Sequence, residues 1–166
     1  GGHRVPFFIH WPKGGLVGGR DLKDLAAHLD VLPTLADLCG VGLPSELKLD
    51  GVSFAAKLRE PTRPSPREHL IVQFQGGAYF RSMPRAWEDS CVLQGPWRLI
   101  NGKELYHIER DLAQREDLAD AHPEIVRQLR EIYLPFWNAV SPRITPVSID
   151  LGNPDENPVR LCSQDW

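Results

Sequence analysis

Three features that would assign a function at once are missing from this sequence: a basic segment, a long apolar run and a cysteine cluster. The formal net charge is only −3 and no block of lysine or arginine stands out, so we expect neither a nucleic-acid partner nor a membrane partner. No stretch approaches the about 20 apolar residues of a membrane span, and no signal peptide is visible. The three cysteines, Cys39, Cys91 and Cys162, lie far apart without metal-ligand spacing, and their odd number leaves the redox compartment open.

Short motifs that announce a self-contained active site are also missing. There is no Gly-x-Ser-x-Gly, P-loop, Rossmann fingerprint or His-Glu-x-x-His. The glycine-rich run 14–19 lacks the P-loop lysine, and a flexible turn explains it better than a phosphate site. The histidines show no metal-ligand spacing, and a metal interpretation of His28 with Asp30 is weaker than helix capping by Asp30. We therefore predict no catalytic residue and no metal ligand in this chain.

The composition is that of a folded protein with many loops. Apolar residues make up 42% and charged residues 25% of the 166 residues, which is enough for a core in one domain or in one domain with a piece of another. Three prolines within residues 60–67 can hold neither a helix nor a central strand. This segment is the predicted boundary between residues 1–60 and residues 66–166.

The first part contains one strand pattern and one helix pattern. The segment from Val5 to Trp11 is nearly continuous in apolar residues, which is typical of a strand buried on both faces. Such a strand needs sheet neighbours, and few candidates precede residue 70. Asp30 is predicted to cap a helix that has Pro33 in its first turn and Gly40 at its end. Residues 55–58 favour a further helical turn.

The second part predicts an antiparallel sheet with one helix packed on it. Successive strands with short connections are expected at 69–74, 89–93, 97–100 and 105–108. A helix begins at Pro123 with an apolar stripe at helical spacing, and Pro135 should bend it. The tail 142–166 looks like an extended arm in which 147–151 could add a strand. The predicted fold class of this part is α+β.

Six short motifs, each weak alone, occur in the order in which sulfatases carry them. The first two resemble Gly-Gly-x-Arg-x-Pro and a strand ending in Trp-Pro. The others resemble an Asp-(aliphatic)-(aliphatic)-Pro-Thr helix start, a Leu-Asp-Gly-x-Ser turn, a Gly-x-(Trp/Tyr)-Lys-Leu strand and Glu-Leu-Tyr-Asp-x with an acidic turn. In this chain they are Gly1 to Pro6, Trp11-Pro12, His28 to Leu35, Leu49 to Ser53, Gly95 to Ile100, and Glu104 to Ile108 with Asp111 and Asp117 to Ala119.

The resemblance implies an alkaline-phosphatase-like fold, in which a large α/β domain carries catalysis and a smaller C-terminal part closes one side. Residues 1–60 would supply the last strand and helix of the large domain, and residues 66–166 the small subdomain with its four-stranded antiparallel sheet, packed helix and extended tail. We expect the natural protein to begin upstream of Gly1, and the family suggests a periplasmic or secreted protein.

The family's chemistry uses a formylglycine, made from Cys or Ser in Cys/Ser-x-Pro-x-Arg, and a calcium ion held by Asp and Asn side chains. None of the three cysteines of this chain fits that motif. Formylglycine and calcium are therefore expected in the N-terminal catalytic part, which would be a partner of this segment. The chain by itself is predicted to be inactive.

What this segment would supply is substrate contact. The resemblance places Gln75, Arg81 and Arg85 in a loop that reaches towards the pocket, and the terminal segment 157–166 resembles the end of some bacterial sulfatases. Arginine and tryptophan suit a sulfated sugar through charge and stacking. The predicted substrate-binding residues are Gln75, Arg81, Arg85, Arg160, Asp165 and Trp166. A solvated loop and a tail that is merely pinned to the sheet are the alternatives for these two segments.

The resulting functional hypothesis is the C-terminal segment of a sulfuric ester hydrolase, acting on a small-molecule or saccharide sulfate ester. Two alternatives stay open. One is a non-catalytic binding or interaction module derived from a sulfatase, although an orphan strand at 5–11 would then expose a large apolar surface. The other is a phosphodiesterase or phosphatase of the same superfamily.

Overall fold

A computed structural model describes residues 5–74, 84–144, 149–151 and 159–161. The chain forms two compact units, Gly1–Leu70 and Ile71–Trp166. Their division falls within the first strand, just after the proline-rich segment 60–67. The helices are α1 (Val31–Cys39), α2 (Ala55–Arg59) and α3 (Pro123–Val140), and the strands are β1 (His69–Gln73), β2 (Ser90–Gln94), β3 (Trp97–Ile100), β4 (Glu104–His107), β5 (Ile149–Leu151) and β6 (Val159–Leu161).

The first unit is organised around α1 and α2. A 3-10 turn, His28–Asp30, leads into α1, and Gly40 closes the helix in the left-handed conformation at φ 66°. Glycine is favoured there because it adopts this conformation without steric cost. The predicted helix and its C-terminal glycine are confirmed, as is the short helix α2. A small core joins them, made by Leu16, Leu38 and Ala55 with Ile9, Trp11 and Leu58 around them.

The predicted buried strand from Val5 to Trp11 is wrong for this structure. Residues 5–10 form no strand, and the Phe7 and Phe8 side chains are 61% and 88% exposed. Trp11 alone makes an isolated antiparallel bridge, with its N–H donating to the Leu16 carbonyl at 2.9 Å. A strand needs a neighbour for its backbone groups, and the described residues of this unit include none.

The second unit contains the predicted sheet, in the order β1-β2-β3-β4. The pairs β2/β3 and β3/β4 are antiparallel, with Val92 opposite Leu99 and Leu99 opposite Leu105. These three side chains point to one face because residues in register share a face, and all are at most 1% exposed. All four strands of this sheet begin and end within one residue of their predicted positions.

Helix α3 covers that face of the sheet. Val126, Leu129 and Tyr133 repeat at helical spacing and are buried, which confirms the predicted stripe. They join the sheet residues in one core, around which the partly buried Ile125, Ile132, Phe136 and Trp137 pack. The helix continues through Pro135. The α+β architecture expected for this part is thus observed.

The tail adds a second, two-stranded sheet in which β5 and β6 are antiparallel. The strand expected at 147–151 is observed over its last three residues. Within the tail, β6 pairs with β5 through backbone hydrogen bonds, and the extended arm expected for the rest of the tail beyond residue 144 lies outside the described residues. No helix in the described part of the chain is long and apolar enough to cross a membrane.

Candidate functional site

The predicted substrate-binding residues fall into three groups in the structure. Arg85 is described and its side chain is exposed. Arg160 lies in β6, where its Cα stands opposite that of Asp150. Gln75, Arg81, Asp165 and Trp166 lie outside the described residues. Of the predicted loop that holds Gln75, Arg81 and Arg85, the structure therefore gives side-chain geometry from residue 84 onwards.

Four residues form what we call the loop-base cluster: Gln73, Trp87, Ser90 and Tyr133. Tyr133 comes from α3 and is completely buried. Its hydroxyl accepts a hydrogen bond from the Trp87 backbone N–H at 2.9 Å and donates one to Gln73 Oε1 at 3.0 Å. One phenol thus connects the end of β1 with the backbone that returns from the loop.

The side chains of Gln73 and Ser90 hold that returning backbone. The Gln73 amide nitrogen donates to the carbonyls of Arg85 and Glu88, at 3.2 and 3.1 Å. The Ser90 hydroxyl donates to the Trp87 carbonyl at 2.8 Å. Together these bonds fix the backbone from Arg85 to Ser90, and so they fix the Cα position from which the Arg85 side chain projects.

Trp87 adopts a backbone conformation that needs support. Its φ is 71°, in the left-handed region that is unusual for a bulky residue. The indole stacks on the Tyr133 ring at a centroid distance of 3.9 Å. A side chain at position 102 would come within 2.6 Å of the indole, so only glycine fits there. Such a conformation costs about 1–3 kcal/mol and persists where the surroundings hold it, often at a functional site.

The loop-base cluster can position the backbone that carries Arg85, but it has no group that could react with a substrate. Burial raises the pKa of Tyr133, and the hydrogen bond accepted from the Trp87 backbone N–H only partly offsets this. The phenol therefore keeps its proton at neutral pH and can donate to Gln73. No residue of the cluster is a nucleophile or a base that is available to a substrate.

The first unit contains a buried ion pair between Asp30 and Arg67, with side-chain exposures of 4% and 10%. The Asp30 carboxylate also accepts the backbone N–H groups of Ala27 and Val52, each at 2.8 Å. Burial alone would raise the pKa of Asp30, but the hydrogen bonds from Arg67, Val52 and Ala27 outweigh it and hold the pKa below its ordinary value.

This arrangement corrects the predicted role of Asp30. Its side chain makes no capping bond to α1, although the residue stands at the helix start. It stabilises the preceding 3-10 turn instead and joins that turn to Val52 and Arg67. Both carboxylate oxygens are occupied, and no three His, Cys, Asp or Glu side chains in the described ranges come together as a metal site. The described residues do not fit a calcium centre.

The cysteines do not fit a formylglycine site either. Cys39 is exposed and Cys91 is buried, and both are free thiols. Burial raises the pKa of Cys91 to about 11 despite the nearby Arg98 charge, so the thiol stays protonated and unreactive. Cys162 lies outside the described residues.

Sequence reasoning missed the loop-base cluster. The helical pattern of α3 predicts an apolar stripe that includes the Tyr133 ring, but it gives no information about the Tyr133 hydroxyl. A buried tyrosine usually finds a hydrogen-bond partner, so the tyrosine within the stripe was the available signal. The positive φ of Trp87 had no signal in the sequence.

Comparison with known proteins finds similarity to sulfatases. No family model matches the chain. An uncharacterised sulfatase from Escherichia coli is 26% identical over 89% of the chain and 31% of its own length. The Δ4,5-hexuronate-2-O-sulfatase of Bacteroides thetaiotaomicron is 29% identical over 69% of the chain and 24% of its own length. The structure of a 2-O glycosaminoglycan sulfatase matches with a TM-score of 0.51 at 20% identity, over 70% of the chain and 26% of that protein.

The resemblance to sulfatases is confirmed by these matches. The chain spans about a third or less of the relatives' length, with shares of 31%, 24% and 26%. The matches are consistent with a C-terminal portion of a sulfatase, and the structural likeness shows the shared fold.

Proposed function

We propose that this chain is the C-terminal part of a sulfatase that hydrolyses sulfate esters of saccharides, with the reaction carried out by residues outside the chain. The observation that carries the proposal is the similarity to a sulfatase over 89% of the chain, in a segment whose ordered motifs are those of that family. The saccharide class is taken from the hexuronate sulfatase, which matches over 69% of the chain.

In this proposal, residues 1–60 complete the α/β catalytic domain and residues 66–166 form the small subdomain. The exposed segment at the start of the chain supports this. Phe7 and Phe8 would cost free energy if they stayed in water, at about 25 cal/mol per Å² of apolar surface. Pairing of residues 5–11 with a sheet of the catalytic domain would cover them and satisfy the backbone groups.

The proposal assigns the catalytic groups to the N-terminal part. Formylglycine would be the nucleophile there and calcium would polarise the sulfate, because attack on an anionic ester needs cations that offset the repulsion. Neither group has a fitting site among the described residues of this chain. A periplasmic or secreted location belongs to the same proposal.

The contribution of this chain would be to hold the substrate, through Arg85. Arg85 is exposed and would meet an anionic sugar through its guanidinium, while the loop-base cluster fixes the backbone beneath it. Arginine matches the geometry of a sulfate or carboxylate with paired N–H donors. Gln75, Arg81, Arg160, Asp165 and Trp166 remain predicted contacts of the same substrate.

Steady-state kinetics of the intact protein on a sulfated unsaturated hexuronate disaccharide would test this role. Arg85→Gln should raise KM about tenfold with little change in kcat, since a charge-assisted hydrogen bond contributes about 1.5 kcal/mol. Arg110→Gln, which removes an equally exposed charge, should leave KM unchanged. Turnover of a small aryl sulfate should be the same in all three proteins. An unchanged KM in Arg85→Gln would remove Arg85 from the site.

Tyr133→Phe tests the positioning role of the loop-base cluster. It deletes only the hydroxyl that joins Trp87 to Gln73, and it should raise KM for the disaccharide while the near-ultraviolet circular dichroism of the folded protein is kept. The double variant with Arg85→Gln should then be no worse than Arg85→Gln alone, because both changes act through one side chain. Additive effects would mean that the cluster has a purely structural role.

Cleavage of phosphate esters in preference to sulfate esters by the intact protein would instead favour a phosphodiesterase or phosphatase.

A further inference from the structure

A cleft of about 300 Å³ lies in the second unit, where the β3–β4 turn meets the start of α3. It is separate from the loop-base cluster and was not indicated by any sequence motif. The residues that line it are Lys103, Ala119, Asp120, Pro123, Val126, Arg127 and Arg130.

The lining carries an excess of positive charge. Three of its side chains are cations and only Asp120 is an acid. None of the three cations lies within ion-pair distance of an acid in the described part of the chain, whereas Lys57 and Arg67 of the first unit are both paired. A concave surface lined by charge of one sign raises the local concentration of ligands of the opposite sign.

Two of the cations are set on one face of a rigid element. Arg127 and Arg130 are three residues apart in α3, a spacing that makes them neighbours on the helix surface. Arg130 is also anchored, because its Nε donates to the Gly102 carbonyl at 2.7 Å. Lys103, the next residue in the β3–β4 turn, brings the third cation to the same cleft.

The helix start itself is not the anion-binding element. Pro123, the first residue of α3, has no backbone N–H, and the N–H groups of Ile125 and Val126 both donate to the His122 carbonyl. The cationic side chains are therefore the main groups that would carry binding in this cleft.

The glycine that anchors Arg130 also touches the loop-base cluster. Position 102 packs against the Trp87 indole on one side, and its carbonyl holds Arg130 on the other. The cleft is thus joined by a single residue to the cluster that positions Arg85. A chain of sugar units that is bound at Arg85 has a second cationic site within the same unit.

We propose that Lys103, Arg127 and Arg130 form a secondary binding site for a sulfate or carboxylate group of an anionic oligosaccharide. This inference rests on the proposed function, since it makes the cleft a subsite for substrates longer than a disaccharide. A free inorganic anion has the same chemistry, and it is separated from a saccharide in the experiment below.

The test compares two double variants of the intact protein with equal charge change. Lys103→Gln with Arg127→Gln removes two cations from the cleft, and Lys48→Gln with Arg110→Gln removes two exposed cations elsewhere. Binding of a sulfated glycosaminoglycan hexasaccharide is measured by calorimetry. The cleft variant should bind about tenfold more weakly, as expected for the loss of two exposed charge contacts, and the control should bind as the wild type does.

Two further measurements make the result decisive. Turnover of a small aryl sulfate should be equal in all proteins, and inorganic sulfate at millimolar concentration should not displace the hexasaccharide. If hexasaccharide binding were weakened equally in both double variants, the effect would be one of net charge and the proposal would be overturned. Complete displacement of the hexasaccharide by sulfate would also overturn it. Binding is measured separately from turnover. If the wild type showed no sulfatase activity, the proposed function would be refuted, and the binding experiment would still decide the proposal for the cleft.

Discussion

Replacing Arg67 by methionine should loosen the first unit at a defined place. The substitution keeps an unbranched apolar side chain in place of the aliphatic part of arginine and removes the partner of Asp30, whose side chain is 4% exposed. Loss of one partner of a buried ion pair costs about 3–5 kcal/mol, because the remaining charge is left without compensation. The backbone N–H groups of Ala27 and Val52 still donate hydrogen bonds to the Asp30 carboxylate. We therefore expect a loss of stability at the lower end of this range, about 3 kcal/mol.

Hydrogen exchange at Val52 reports this change directly, because its N–H donates to Asp30 at 2.8 Å. A local loss of about 3 kcal/mol corresponds to roughly a hundredfold faster exchange in the intact protein. Arg63→Met is the matched control, since it removes an arginine from an exposed pair with Glu60 and should leave exchange at Val52 unchanged. Equal exchange in wild type and Arg67→Met would refute the assigned role of the ion pair.

The pH dependence has a defined sign. The pKa of Asp30 in the folded protein lies below its ordinary value, so the stabilisation is complete above the ordinary aspartate pKa of about 4 and is lost as the pH falls through the lower, folded value. The difference between wild type and Arg67→Met should therefore be largest at neutral pH and shrink as the pH falls, because protonation of Asp30 removes the charge that Arg67 compensates. A difference that grows with acidification would contradict the account.

Two other predictions concern single positions. Gly51→Ala places a Cβ onto the Leu29 carbonyl oxygen and should lower the free energy of unfolding by about 1–3 kcal/mol, whereas Gly42→Ala, where no atom lies within 4 Å, should be neutral in the same thermal melt. Cys91 should resist iodoacetamide at pH 8 in the folded protein, because its pKa of about 11 leaves roughly one thiol in a thousand ionised. Mass spectrometry after labelling should show it modified only in guanidinium, and rapid labelling of Cys91 in the native protein would contradict its burial.

The fold of the second unit could be predicted from the sequence because its strands and its helix find their packing partners within the same unit. Strands β2 to β4 are joined by short turns, and the stripe of α3 has the sheet as its partner, so local pattern and tertiary packing agree. The segment 5–11 has an equally clear pattern, but it describes a strand with two covered faces. The pattern alone does not show which residues cover the two faces of this segment. The described residues of the first unit do not cover them.

The candidate site was only partly predictable. Arg85 was named from its place after the first strand of the sheet, whereas its support by Gln73 and Tyr133 depends on a contact across 60 positions of sequence. Asp30 was recognised as a helix-start residue, yet its carboxylate bonds with Val52 and Arg67, which only the folded chain brings near. Polar contacts of this range have no periodic signature, unlike the apolar stripe of α3.

The measurement that tests the central claim most directly is sulfate release from a sulfated unsaturated hexuronate disaccharide. It should be made on the intact protein and on the 166-residue chain at equal concentration. The account predicts turnover by the intact protein and none by the chain, because the catalytic groups are assigned to the N-terminal part. Turnover by the chain alone, or an intact protein that releases no sulfate from any sulfated saccharide or aryl sulfate, would contradict it.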